Sequence, residues 1–163
     1  MENEEYCYEP IGHIHSPYDD VEGMPIQPSG ADAVGTVEVD PAFADGLDDL
    51  EEFSHCILIY HFHQAADGSS MHVRPFLDDR QRGLFSTRAP SRPNPIGLSV
   101  VAIEGRDGAT LSVRGSDVVD GTPLLDLKPY VPDFDSRSAA RAGWIDAVTE
   151  TARDVDADDR FHR

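Results

Sequence analysis

Apolar residues along this chain come in seven short runs, each four to nine residues long and closed by Gly, Pro, Asp or Ser, and that punctuation constrains the fold more than any other feature. The runs are Tyr8–His15, Ala33–Val39, Ser54–Phe62, Gly83–Thr87, Gly97–Glu104, Thr110–Gly115 and Leu124–Leu127. Reversal signals separate them: Ser16-Pro17-Tyr18-Asp19-Asp20 follows the first, and Arg106-Asp107-Gly108-Ala109 makes a hairpin between the fifth and sixth. Asp40-Pro41 starts a helix, with Phe43, Leu47 and Leu50 at helical spacing and an end near Glu52. A second helix is expected around Ser138–Ala152, with Trp144, Ile145 and Val148 on one face. The result is a mainly β chain, an antiparallel barrel or sandwich with one or two short helices. No glycine-rich strand-to-helix phosphate loop is present, so a Rossmann sheet is not expected.

At 163 residues the chain is one domain, expected over residues 1–150 with a polar tail over 151–163. Such a chain buries roughly 70% of the surface exposed when unfolded and folds without staples. Cys7 and Cys56 lack metal or redox spacing and read as reduced thiols. The acidic start Met1-Glu2-Asn3-Glu4-Glu5 and the shortness of the longest apolar run, Cys56–Tyr60, predict a cytoplasmic protein with no membrane partner.

Thirty-one acids face thirteen bases, a net charge of −18, and Lys128 is the only lysine. In ordinary buffer that surface repels polyanions. In molar salt the Debye length falls to about 3 Å and the repulsion hardly acts, so the charge reads as adaptation to a saline habitat. An apolar content of 39% in patterned runs excludes a disordered acidic chain.

Against this background the stretch Val73–Asn94 is locally basic. Arg74, Arg80, Arg82, Arg88 and Arg92 stand against Asp78 and Asp79 alone. Arginine forks phosphate and stacks on bases, so these side chains suit a single-stranded RNA loop; they equally suit neutralising nearby acids. Pro90, Pro93 and Pro95, interleaved with Arg92, Asn94 and Gly97, stiffen the same segment into a rigid loop or a plain connection. Asp126 and Lys128, two apart, share a strand face, either as a functional pair or as a structural ion pair. His13 with His15, and His61 with His63, form two His-x-His pairs that could ligate metal inside a barrel, but no carboxylate completes a set and no metal is expected.

Taken together, these segments resemble the TrmO family, tRNA methyltransferases acting on N6-threonylcarbamoyladenosine beside the anticodon. The matching pieces are Ile11–Tyr18, Phe53–Tyr60, Val73-Arg74-Pro75, Gly83–Ser99 and Asp120–Tyr130, within a similarity covering about Ile11 to Ile145. The resemblance implies a small antiparallel barrel that binds S-adenosylmethionine without a Rossmann sheet, works as a homodimer and takes the tRNA anticodon loop rather than DNA. By position it puts cofactor contacts on Pro25, Ile26, Gln27, His63, Gln64, Arg88, Leu98, Leu125, Asp126, Leu127 and Lys128. Ile26 stands where the family usually has arginine, so that side chain's contact is not expected here. The chain ends soon after Trp144 and is expected to lack the further C-terminal domain of bacterial relatives.

The cofactor brings its own electrophile, a methyl on sulfonium, so alignment is the protein's main task. Asp126, with Tyr130 as second choice, is expected to accept the proton of the target nitrogen. Arg88 and Lys128 fit an anionic group of cofactor or RNA, and Arg74, Arg80, Arg82 and Arg92 fit RNA. Three rivals remain at this stage: a non-enzymatic RNA-binding barrel using the same arginines, a metal-dependent small-molecule enzyme using the His-x-His pairs, and the same cofactor with a different acceptor.

Overall fold

The computed structural model describes residues 4–20, 22, 32–76 and 78–148. Alternating burial along each run makes strands that are apolar on one face only, and six of them close on themselves. The barrel strands are β1 (Gly12–His15), β2 (Val34–Val39), β3 (His55–His61), β6 (Ile96–Asp107), β7 (Thr110–Arg114) and β8 (Thr122–Pro129). Their order around the barrel is β1-β2-β7-β6-β3-β8, with every described pairing antiparallel. Closure leaves no strand edge unpaired across the sheet, which answers the exposed-edge problem of small β proteins. A two-stranded ribbon, β4 (His72–Val73) with β5 (Arg82–Gly83), lies in the long connection from β3 to β6.

Inward positions are filled by Ile14, Val37, Leu58, Val101, Leu111, Val113 and Leu124, each at most 1% exposed. Burying a side chain of this kind contributes about 1.5–3 kcal/mol. Cys56 joins them, free and buried, its thiol pushed up to about 12 by burial. Cys7 is free and exposed.

Antiparallel closure sorts the connections by end. At one end lie the links β1–β2, β3–β6 and β7–β8, and these hold the basic stretch and the proline-rich loop. At the other end lie the β2–β3 link and the tight Gly108-Ala109 hairpin, where Gly108 takes φ 59°. Beyond β8 the chain makes a single turn of helix, Pro132–Asp135, which the sequence pattern did not anticipate. It then returns to the loop-rich end, where the Trp144 indole N–H donates to the Ser86 carbonyl at 2.9 Å and the Arg82 guanidinium lies 5.5 Å from the Trp144 ring. No helix among the described residues is long and apolar enough to cross a membrane.

Four sequence expectations change. The first strand begins at Gly12 rather than Tyr8, because its partner β2 ends opposite Gly12 at Val39 and Pro10 has no N–H to extend the ladder. The expected helix from Asp40 becomes two 3₁₀ segments, Pro41–Leu47 and Leu50–Glu52, separated by Asp49 at φ 67°. Asp40 does cap its start, accepting from the Ala42 N–H at 2.8 Å, but Gly46 and Asp48-Asp49 are weak helix formers and Phe43 stays 51% exposed. Of the expected strand Gly83–Thr87 only Gly83, the end of β5, is extended: Leu84–Ser86 is a 3₁₀ turn, and the buried pair Leu84 and Thr87, three apart, matches that period rather than a strand's. Around Trp144 the described chain forms a 3₁₀ turn, Gly143–Ala147, in place of a long helix, and residues 149–152 lie outside the described residues.

Gly97 lies opposite Tyr60 in the β3–β6 pairing, and a Cβ there would come within 2.2 Å of Tyr60 Cε2 and 2.8 Å of Phe62 Cζ. The Tyr60 ring cannot swing away, because its hydroxyl is bonded to Ser99 and its edge packs on Phe62. Gly97→Ala is therefore expected to lower unfolding stability by about 1–3 kcal/mol in chemical denaturation, and an unchanged midpoint would contradict this packing.

Candidate functional site

β3 pairs with β6 on one edge and β8 on the other, so residues far apart in sequence line up across its outer face. Ile59 faces Leu98 on one side and Asp126 on the other; one step further along, Ile57 faces Val100 and Lys128. With strands about 4.8 Å apart, Leu98 and Asp126 stand about 10 Å from each other across Ile59. The register of β8 shifts between Ile59 and Tyr60, which leaves Leu125 at a bulge, a device that re-aims side chains. Leu127 packs against the core instead, and its N–H is taken by Asp126 Oδ1 at 2.8 Å, so its side chain is not turned to the row.

Asp126 and Lys128 form an ion pair of 2.8 Å, with side chains 46% and 59% exposed. Exposed pairs of this kind contribute little to stability. Partial burial pushes the Asp126 carboxyl up, but the Lys128 ammonium and the Leu127 N–H outweigh it and hold the group below its usual range. A carboxylate so held is a steady hydrogen-bond acceptor and a weak proton acceptor. Tyr130, by contrast, sits about 13 Å further along the strand from Asp126, at the hairpin end, with its N–H on the His55 carbonyl and its ring 6.2 Å from the His55 ring. Tyr130 is thus separated from the arginine-bearing loop by the length of the barrel.

That loop is stitched to itself. Thr87 Oγ1 donates to the Leu84 carbonyl at 2.7 Å, and Arg92 donates to the carbonyls of Thr87 and Ala89 at 3.2 and 3.1 Å while its guanidinium lies 5.9 Å from the Phe85 ring. Val73, Leu84 and Ala89 give it a small core of its own, and the Phe62 N–H on the Pro95 carbonyl ties it to the end of β3. Arg88 is exposed between the buried residues Thr87 and Ala89, so the rigid loop projects it outward. Arg82 is committed to Asp78, its Nε donating at 2.7 Å, and to Trp144. Of the arginines expected to meet RNA, Arg82 and Arg92 therefore serve the loop's own structure, while Arg74 and Arg80 are exposed.

His63 and Gln64 follow β3 directly at this same end. Burial, reinforced by the charges of His61 and His13, lowers the His63 pKa. The histidines of the strands point away from the barrel interior, because Ile14, between His13 and His15, and Tyr60, next to His61, take the inward positions. A metal site inside the barrel is therefore not built from them, and no group of three potential ligands able to hold a metal is found among the described residues. His15 instead bridges Asp120 at 3.2 Å and Glu38 at 3.3 Å. Pro25, Ile26 and Gln27 lie outside the described residues.

One group escaped the sequence reading. Inside the barrel the Tyr60 hydroxyl and Ser99 Oγ are 2.9 Å apart, and Ser99 Oγ donates to Asp117 Oδ1 at 2.6 Å. Burial drives the Asp117 carboxyl up to about 6, with Ser99, its own backbone N–H and the Arg88 charge pulling the other way. Burial and the Asp117 charge also raise the Tyr60 pKa, while Ser99 and Arg88 lower it. The available signal was a polar Ser99 at an inward position between Gly97 and Val101.

A carboxyl whose folded pKa lies above its unfolded one favours folding only while protonated, so its contribution is complete below the unfolded value near 3.8 and is lost as pH rises through about 6. Ionised Asp117 thus costs up to about 3 kcal/mol at neutral pH. Asp117→Asn, which keeps an acceptor for Ser99, is expected to raise unfolding stability at pH 7–8 and to make little difference at pH 4. A loss of stability at pH 8 would contradict the assignment.

The tRNA-methyltransferase O N-terminal domain family matches residues 13–136. A probable S-adenosyl-L-methionine-binding protein of Pyrococcus abyssi is 52% identical over 156 residues, covering 95% of this chain and 84% of that protein. The tRNA (adenine(37)-N6)-methyltransferase of Escherichia coli is 37% identical over 153 residues, covering 88% of this chain and 65% of the relative. The crystal structure of TrmO from Pseudomonas aeruginosa superposes with a TM-score of 0.73 at 40% identity, covering 86% of this chain and 63% of that one. With its six-stranded barrel and a family match that spans most of its length, this chain belongs to the TrmO N-terminal domain family.

Proposed function

We propose that this protein methylates the threonylcarbamoyladenosine beside the anticodon of tRNA, using S-adenosylmethionine, and that it does so in the cytoplasm of a cell rich in salt. The observation that carries this reading is the convergence of the Arg88 loop, the His63–Gln64 segment and the Leu98–Ile59–Asp126 row at and beside one end of the barrel. Relatives named for S-adenosylmethionine binding and for tRNA methylation support it.

The residues fit the cofactor's chemistry. Leu98 is 49% exposed beside Ile59 and offers apolar surface to an aromatic ring or a thioether chain. Asp126 offers carboxylate oxygens to hydroxyls, and Arg88 offers a fork of donors to a carboxylate. When bound, S-adenosylmethionine supplies a methyl on a positively charged sulfur, which needs no acid catalyst to leave. What the chain must add is alignment, worth several kcal/mol when two reactants are held in line. Asp126 orients the target N–H as an acceptor rather than removing its proton early, because Lys128 holds its pKa down. The row is half exposed, so a second copy of the chain laid against the outer face of β3 and β6 would supply the missing wall, and the protein acts as a homodimer. Arg74 and Arg80 face the anticodon loop, whose bases splay out without duplex opening.

In molar salt, purified protein is expected to transfer methyl to tRNA bearing the threonylcarbamoyl group and not to the unmodified transcript. No transfer to either under folded conditions would overturn the reading. Asp126→Asn is expected to slow single-turnover transfer by about 10- to 100-fold, and the wild-type rate is expected to show no Asp126 inflection above the usual carboxylate range.

A further inference from the structure

Phe85 is 73% exposed, the most of any large apolar side chain among the described residues, yet the backbone that carries it is bonded on both sides. The Leu84 N–H donates to the Met71 carbonyl at 2.9 Å, Ser86 Oγ to the Gly83 carbonyl at 2.7 Å, and the Thr87 N–H to the Leu84 carbonyl at 3.0 Å. The Ser86 carbonyl takes the Trp144 indole N–H. Leu84, next to Phe85, anchors the turn in the small core with Val73 and Ala89. The Arg92 guanidinium lies over one face of the ring, 5.9 Å from its centroid, and is fixed there by the Thr87 and Ala89 carbonyls. The opposite face of the ring is left to solvent.

We infer that the Phe85 ring, backed by Arg92, is a stacking platform for one unpaired nucleobase of the RNA, a neighbour of the base that is methylated. The inference deepens the proposed function and rests on that reading for the RNA. Gly83, Ser86 and Arg88, the exposed residues nearest to Phe85 along the loop, offer no apolar side chain, which suits a single flat base better than a broad protein surface. The two-stranded ribbon that leads into the loop carries exposed Arg74 and Arg80 at its far end, so donors for phosphate flank the ring within one stretch of basic chain. Charge argues the same way. With a net charge of −18 the chain gains little from long-range attraction to phosphate, and salt weakens that attraction further. Stacking of a base on an aromatic ring is a contact that salt does not screen and that every base can make. Arg92 behind the ring holds its plane and leaves one face for the base. The base that accepts the methyl has to reach the Leu98–Asp126 row, so the ring takes another one.

The test measures binding of an anticodon stem-loop RNA bearing the threonylcarbamoyl group, and of the same RNA with single abasic sites in its loop, over a range of salt. Phe85→Ala is expected to bind the intact RNA about tenfold or more weakly while keeping the wild-type affinity for S-adenosylmethionine and the wild-type unfolding midpoint. One abasic site, at a base other than the target, should weaken the wild-type protein by a similar factor and leave Phe85→Ala unaffected, the mark of a ring and a base that meet. Phe85→Trp should restore binding. The slope of log Kd against log salt should be the same in Phe85→Ala as in wild type, because no phosphate contact is lost. Wild-type RNA affinity in Phe85→Ala, or abasic losses equal in variant and wild type at every loop position, overturns the inference. So does a loss of S-adenosylmethionine affinity, which puts the ring at the cofactor, or a changed monomer–dimer equilibrium in sedimentation, which puts it between two copies of the chain. RNA bound through Phe85 by a protein that transfers no methyl supports the platform and sinks the proposed function; methyl transfer with wild-type RNA affinity in Phe85→Ala does the reverse.

Discussion

The double pairing of β3, with β6 along one edge and β8 along the other, is the constraint on which the rest of the molecule depends. It closes the barrel, and closure does two things at once. On the inside it brings Tyr60 against Ser99 and leaves room for Asp117 at the mouth. On the outside it aligns Leu98, Ile59 and Asp126 as a single transverse row, although the first and last are separated by most of two strands and their connections. Neither arrangement is available to an open sheet in which β6 and β8 lie apart.

Two carboxylates within this frame are driven in opposite directions. Asp126, half exposed and paired with Lys128, is held ionised; Asp117, partly buried beside Ser99, is pushed toward neutrality. Environments that separate the pKa values of neighbouring acids are how one fold assigns different roles to chemically identical groups. The surface charge belongs to a different scale. Acids such as Glu38, Asp48 and Glu51, each more than half exposed, sit in solvent where salt screens them, whereas Asp117 is partly shielded beside Ser99. An excess of 18 negative charges therefore coexists with a locally basic loop without cancelling it.

Much of this was legible in the sequence because strands announce themselves by period-two burial. Ser54–Phe62, Gly97–Glu104 and Thr110–Gly115 all became barrel strands, and Asp126 and Lys128 shared a face as their spacing required. Short turns were less legible, since Leu84 and Thr87 satisfy a three-residue period that a five-residue window cannot distinguish from a strand. The arginine-rich loop was found from charge, but charge did not reveal that Arg82 and Arg92 are committed to Asp78, Trp144, Phe85 and loop carbonyls. Tyr130 was drawn toward the site by its nearness to Asp126 in sequence, and four residues of extended chain carried it to the far end. Asp117 was missed for the converse reason: its partners lie 18 and 57 residues away, and only strand register brings them together.

The central claim is that one end of the barrel, together with the adjoining outer face of β3, receives the methyl donor. A crystal structure of the protein grown in high salt with S-adenosylmethionine measures this directly. The account predicts the ligand against Leu98 and Asp126 with Arg88 in contact. Density seated elsewhere, at the Gly108 hairpin end or in the open depression formed by Arg141, Gly143 and Asp146, would contradict it.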